Sequence, residues 1–124
     1  MKRMPRLHKM IFSAGFIFAF GTMAILAQKP EEKEEKRKTL LENDRVRVRE
    51  VWMEPGVEYA PHTHEYAHVG VIVEGGTLQF TEKGKAENVT FKAGNVGWRE
   101  AGVTHSIRNR GKTTVHVVEV ELKR

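Results

Sequence analysis

The 124-residue sequence predicts an all-β domain, a small barrel, behind an N-terminal signal or anchor helix. Three observations predict it. From Thr39 onward the apolar pattern alternates with period two rather than 3.6. Turn-forming residues recur at intervals of roughly ten residues, the spacing of short strands in sandwiches and barrels. The first 27 residues start basic, continue apolar and end on a small residue, as export segments do.

The elements follow in order. Met1–Lys9 carries Lys2, Arg3, Arg6 and Lys9 and no acidic residue, and Met10–Leu26 is apolar apart from small Ser, Thr and Gly residues. Residues 1–27 therefore read as a signal peptide cut after Ala27, or as an uncleaved membrane anchor. In both cases the body is exported, periplasmic or secreted. It meets the membrane only through an uncleaved N-terminus. Residues 28–38 read as a linker. Lys29–Lys38 is almost entirely charged, has little apolar surface to bury, and is expected to be a solvated spacer.

The domain proper is expected over 39–124. Arg45, Arg47 and Arg49 alternate with Val46 and Val48, which describes a half-buried strand. Val69–Val73 is a short β-branched run, 77–81 and 88–91 alternate, and Val115–Leu122 is a long final strand. Pro55-Gly56, Gly75-Gly76, Gly84, Gly94, Gly102 and Gly111 punctuate them. Gly56, Gly75 and Gly94 are expected where turns need positive φ, and Gly70, inside a strand, to open interior room. A lone flat sheet would leave one apolar face wet; a barrel covers it and removes most sheet edges. Trp52, Phe80, Phe91 and Trp98 are the large side chains expected to help fill the interior.

Composition narrows the chemistry. There is no cysteine, so a metal must be held by His, Asp or Glu, and no thiolate nucleophile exists. The net charge of +5 comes largely from the four basic residues of the leader, which leave 17 basic against 16 acidic residues in the remainder. That balance is no footprint for nucleic acid. No G-x-S-x-G, P-loop or dinucleotide motif is present.

Four of the six histidines fall in two clusters, His62, His64 and His68, then His105. Residues i and i+2 of a strand point the same way, so His62 and His64 can converge, and His68 shares their parity. His105 arrives from a different strand. Together they are candidate ligands of one divalent transition metal, Fe, Zn, Ni or Cu rather than oxygen-preferring Mn. Histidines with no joint role are the competing reading.

These residues resemble the cupin superfamily. Its first motif is a glycine, five residues on an H-x-H pair, three or four residues on a glutamate, and six residues on a second glycine. Here Gly56, His62, His64, His68 and Gly75 stand at that spacing. The second motif is matched by Gly94, Gly102, His105 and Asn109. His68 stands where the family usually has Glu, and Glu100 where it usually has Pro. The resemblance covers about residues 40–122, and the stretch from Glu42 to Gly56 is similar to short single-domain bacterial cupins. It implies a double-stranded β-helix, or jelly roll, holding one metal, and strand pairing into a homodimer. The loss of the usual Glu makes the implied ligand set all-nitrogen; Glu65, next to His64, has the wrong parity to replace it.

Tyr66, Trp98 and Arg99 are candidates for the barrel mouth, with Arg99 able to anchor a substrate carboxylate. Glu50, in alternation with Val48 and Trp52, is a candidate interior base. Three functions fit: a metal-dependent enzyme, dioxygenase- or isomerase-like, on a small organic molecule; a non-catalytic module that binds a small molecule or the metal; or a structural protein stiffened by its metal.

Overall fold

The computed structural model describes residues 33–124 and the single residue 21; the leader and most of the linker lie outside the described residues. Nine strands form among the described residues: β1 (Lys36–Glu42), β2 (Val46–Met53), β3 (Glu58–Thr63), β4 (Ala67–Glu74), β5 (Gly76–Glu82), β6 (Lys85–Phe91), β7 (Val96–Arg99), β8 (Thr104–Asn109) and β9 (Val115–Leu122). They make two sheets, a five-stranded one in the order β1-β2-β9-β4-β7 and a four-stranded one in the order β3-β8-β5-β6, and the neighbouring strands in both run antiparallel. This is the expected double-stranded β-helix. One boundary differs. Lys36–Lys38, expected in the solvated spacer, are the first residues of β1 and pair with Trp52, Val51 and Glu50.

The core between the sheets holds Met53, Tyr59, Ile72, Leu78, Ile107, Val115 and Val117, with Phe80 and Phe91 packed against it. Trp52 and Trp98 are not in it. Trp52 stacks on His116 at 4.8 Å on the outer face, and Trp98 is 52% exposed.

The inner face of β2 and β9 departs further from expectation. Val51 and Met53 are buried and pair with Val117 and Val115. Continuing that face by twos brings in Arg49 opposite Glu119 and Arg47 opposite Glu121. The arginine face of β2 is thus the interior face, and Val46 and Val48 lie on the outer one. Apolar alternation points the other way, because it cannot see that β9 supplies two carboxylates in register.

Two glycines act through the backbone. Gly75 does not have positive φ, contrary to expectation; a Cβ there would stand 2.3 Å from the carbonyl oxygen of Phe91, so the position requires close approach instead. Gly102 does have positive φ, +82°, in the turn that leads into β8. Asn109, fully buried, donates to the carbonyls of Met53 (2.9 Å) and Thr113 (2.8 Å) and accepts from the Gly111 amide. This motif residue therefore ties β8 to the end of β2 and to the loop before β9, away from the histidines.

Candidate metal centre

His62 sits near the end of β3 and His105 near the start of β8, directly opposite each other in the ladder. His64 lies just past β3, where its amide donates to the Val103 carbonyl (2.9 Å) and its carbonyl accepts from Gly102 (2.7 Å). A short turn follows, and His68 belongs to β4, in the other sheet. The three clustered histidines are therefore not on one extended strand.

The Nε2 atoms of His62, His64 and His105 form a triangle, with sides of 3.2, 2.9 and 3.1 Å. These three residues make the group able to hold a metal ion; His68 is outside it. The His68 ring lies 4.5 Å from that of His64, and its Nε2 is 3.8 Å from Glu119 Oε1.

The triangle fits a cation. An imidazole nitrogen is a donor or an acceptor, never both. Of three such atoms in mutual contact two must be alike, so at least one contact sets lone pair against lone pair or proton against proton. A cation at the centre relieves all three contacts. Each separation is short enough for all three nitrogens to reach one ion at a metal–nitrogen distance of about 2.1 Å. His62 Nδ1 lies 3.4 Å from the Ala60 carbonyl, which favours the tautomer with a free Nε2 lone pair.

Electrostatics point the same way. Burial, with the nearby His68 and His62 rings, pushes His64 down to about 3; burial, then Arg99 and the neighbouring rings, does the same to His105. Burial also lowers His68. These rings are neutral at physiological pH, the form that binds metal. A stability prediction follows for metal-free protein. Both folded values lie below the unfolded one, so the unfolded chain takes up more protons and stability falls as pH falls through the ordinary histidine range toward about 3. Each ring adds at most about 1.4 kcal/mol per pH unit. Thermal melts of chelator-treated protein should show a lower midpoint at pH 5 than at pH 7; equal midpoints would contradict the burial of these rings.

A polar row crosses the five-stranded sheet beside the triangle: Arg47, Glu121, His68 and Arg99 stand opposite one another in β2, β9, β4 and β7. Glu121 is 1% exposed and accepts from Arg47 Nε (2.5 Å) and Arg49 (2.8 Å). Burial acts to raise its carboxyl, but the Arg47 hydrogen bond and the charges of Arg49 and Arg47 prevail and lower it. Glu119 is held up by burial against the lowering effect of Arg37 and Arg49, each 3.8 Å away. Its Oε2 is buried without a hydrogen-bond partner. Sequence reasoning missed both glutamates, because their alternation with Val118 and Val120 equally suits an outward, solvated face.

Two cavities flank the histidines, and His64 lines both. The larger, about 380 Å³, is polar and bounded by Arg37, Arg47, Arg49, His62 and Glu121. The smaller, about 90 Å³, enters the apolar interior between His105, His68, Arg99, Phe80, Trp98 and Glu119. Trp98 and Arg99 thus line this smaller cavity. Tyr66 lines neither; its ring lies under the Arg47 guanidinium at 5.4 Å. Glu50 is on the outer face beside His116, at 3.2 Å, and cannot serve as interior base. Its neighbours in alternation, Val48 and Trp52, face outward with it. Glu65 is exposed, as its parity requires.

Comparison with known proteins agrees with this architecture. A family model described as "Cupin domain" matches residues 49–121. A Pseudomonas aeruginosa protein named beta-alanine degradation protein BauB is 32% identical over 83 residues, covering 67% of this chain and 87% of that protein. A cupin domain from Bordetella pertussis superposes with a TM-score of 0.71 at 26% identity, over 77% of this chain and all of that one. The polyketide cyclase RemF of Streptomyces resistomycificus shares the fold, with a TM-score of 0.60 at 22% identity, over 78% of this chain and 70% of that one.

Proposed function

This chain belongs to the cupin domain family, and from that premise we propose that it is a metal-dependent enzyme acting on a small organic molecule, dioxygenase- or isomerase-like in its chemistry. The observation that carries the reading is the Nε2 triangle of His62, His64 and His105, placed beside a cavity that also contains a guanidinium and a buried carboxylate. A divalent transition metal, Fe, Zn, Ni or Cu, supplies Lewis acidity or oxygen activation when bound.

The chain's own residues have separable tasks. The three imidazoles hold the ion. Leu78, Phe80 and Phe91 wall the cavity with apolar surface and limit water. Glu119, its carboxyl raised by burial, is the group best placed to hold or release a proton. Arg37 and Arg49 fix its position. The name of the Pseudomonas relative supports the metabolism of a small molecule as the setting. The basic and then apolar start supports export of the body, and an enzyme of the periplasm or exterior is the form proposed.

Elemental analysis of purified protein, followed by oxygen-uptake and isomerisation assays on a panel of small organic acids, tests this. About one equivalent of a divalent transition metal is expected, with turnover that chelation abolishes and metal restores. Metal bound without turnover across Fe, Ni, Cu and Zn reconstitution would favour a non-catalytic binding module instead.

A further inference from the structure

We infer that the ligand of the smaller cavity is a short-chain carboxylate, bound through its carboxyl group by Arg99 beside the three histidines. This rests on the metal-centre reading above and names its substrate class.

The argument begins with charge. A ligand set of three neutral imidazoles brings no negative charge to a divalent ion. Arg99 adds a permanent positive charge to the same cavity. Among the described residues no carboxylate forms an ion pair with it; its contact is the face of Phe80, with the guanidinium carbon 4.9 Å from the ring centroid. Phe80 in turn stacks on His105, at 5.6 Å. Glu119, the one acidic group lining this cavity, faces Arg37 and Arg49 at 3.8 Å and forms no ion pair with Arg99. The site thus has an excess of positive charge that an anionic ligand would offset.

Arginine elsewhere in the interior is already matched. Arg37 pairs with Glu35 and Glu119, Arg47 with Glu121, and Arg49 with Glu119 and Glu121. The larger cavity therefore offers anions no uncommitted guanidinium from these three, and Arg99 is the one whose fork remains available for bidentate recognition.

Shape sets the size. Gly70 and Gly97 stand opposite each other in β4 and β7, two residues along from the His68–Arg99 pair. Both line the cavity, and a Cβ at Gly97 would meet nothing within 4 Å. The pair leaves a bare backbone floor between Arg99 and the sheet interior. The resulting space, about 90 Å³, is small and suits a ligand of only a few non-hydrogen atoms. Phe80, Phe91 and Trp98 suit an apolar body on that ligand.

The test uses the full protein, both with its metal and after chelation. Acetate, propionate, pyruvate and lactate are titrated calorimetrically, with propionamide and lactamide as uncharged counterparts. At least one acid is expected to bind, its amide at least 10-fold more weakly. Arg99→Gln should weaken the acid at least 10-fold without changing metal content, and Arg99→Lys should recover part of the loss; circular dichroism confirms that both variants fold. Normal metal content with no acid bound, or with binding unchanged in Arg99→Gln, overturns the inference and leaves the metal centre standing. Arg99-dependent binding to a protein that takes up no metal supports the carboxylate site and overturns the metal centre. Neither metal nor acid bound overturns both.

Discussion

His105→Ala is expected to empty the metal centre. Removing groups one shell beyond the ligands typically costs about 10–100-fold in metal affinity, so losing one of three ligands should cost more than about 100-fold. His105 is 3% exposed and stands directly across the ladder from His62, so bulk solvent has little access to replace its nitrogen. Metal content after gel filtration checks this by elemental analysis, with circular dichroism to confirm folding. His68→Ala is the informative comparison. Its ring lies outside the triangle and faces Glu119, so it should lose far less metal than His105→Ala. Equal loss in the two variants would show that the ion draws His68 in as a fourth ligand.

Glu121→Ala is expected to be the most damaging substitution outside the centre. The carboxylate is buried and holds Arg47 and Arg49 together. Its removal strands the part-buried Arg47 and leaves Arg49 only the more distant Glu119, and breaking a buried pair from one side typically costs about 3–5 kcal/mol. Net stabilities are about 5–15 kcal/mol, so this is a large fraction of the whole. For a domain of this size the midpoint should fall by roughly 15 °C or more, read by thermal or urea denaturation. The exposed Glu42–Lys123 pair serves as control, and Glu42→Ala should move the midpoint little. A comparable shift in both would mean that the interior charges are solvated.

The histidine cluster was largely legible in the sequence, because strand parity and family spacing both act on identity and interval. His62 and His64 are two residues apart and do converge. His68 shares their parity yet leaves the set, because a turn after His64 carries the chain into the other sheet. Parity predicts direction only while a strand continues. The same limit explains Glu50, which was assigned the interior by alternation with Val48 and Trp52, both of which face outward. An alternating strand has two faces, and its own residues do not say which is covered.

Period-two alternation, regular turns and histidine spacing were enough to determine an all-β barrel with an imidazole cluster, because each depends on local geometry that any strand obeys. Which face of β2 points inward, and that Arg47, Arg49, Glu119 and Glu121 form a charged interior wall, was decided only by tertiary structure. The cost of burying each of those charges depends on a partner about 70 residues away, brought into register by the β2–β9 ladder. The open guanidinium of Arg99 over a glycine floor arises the same way, from the pairing of β4 with β7.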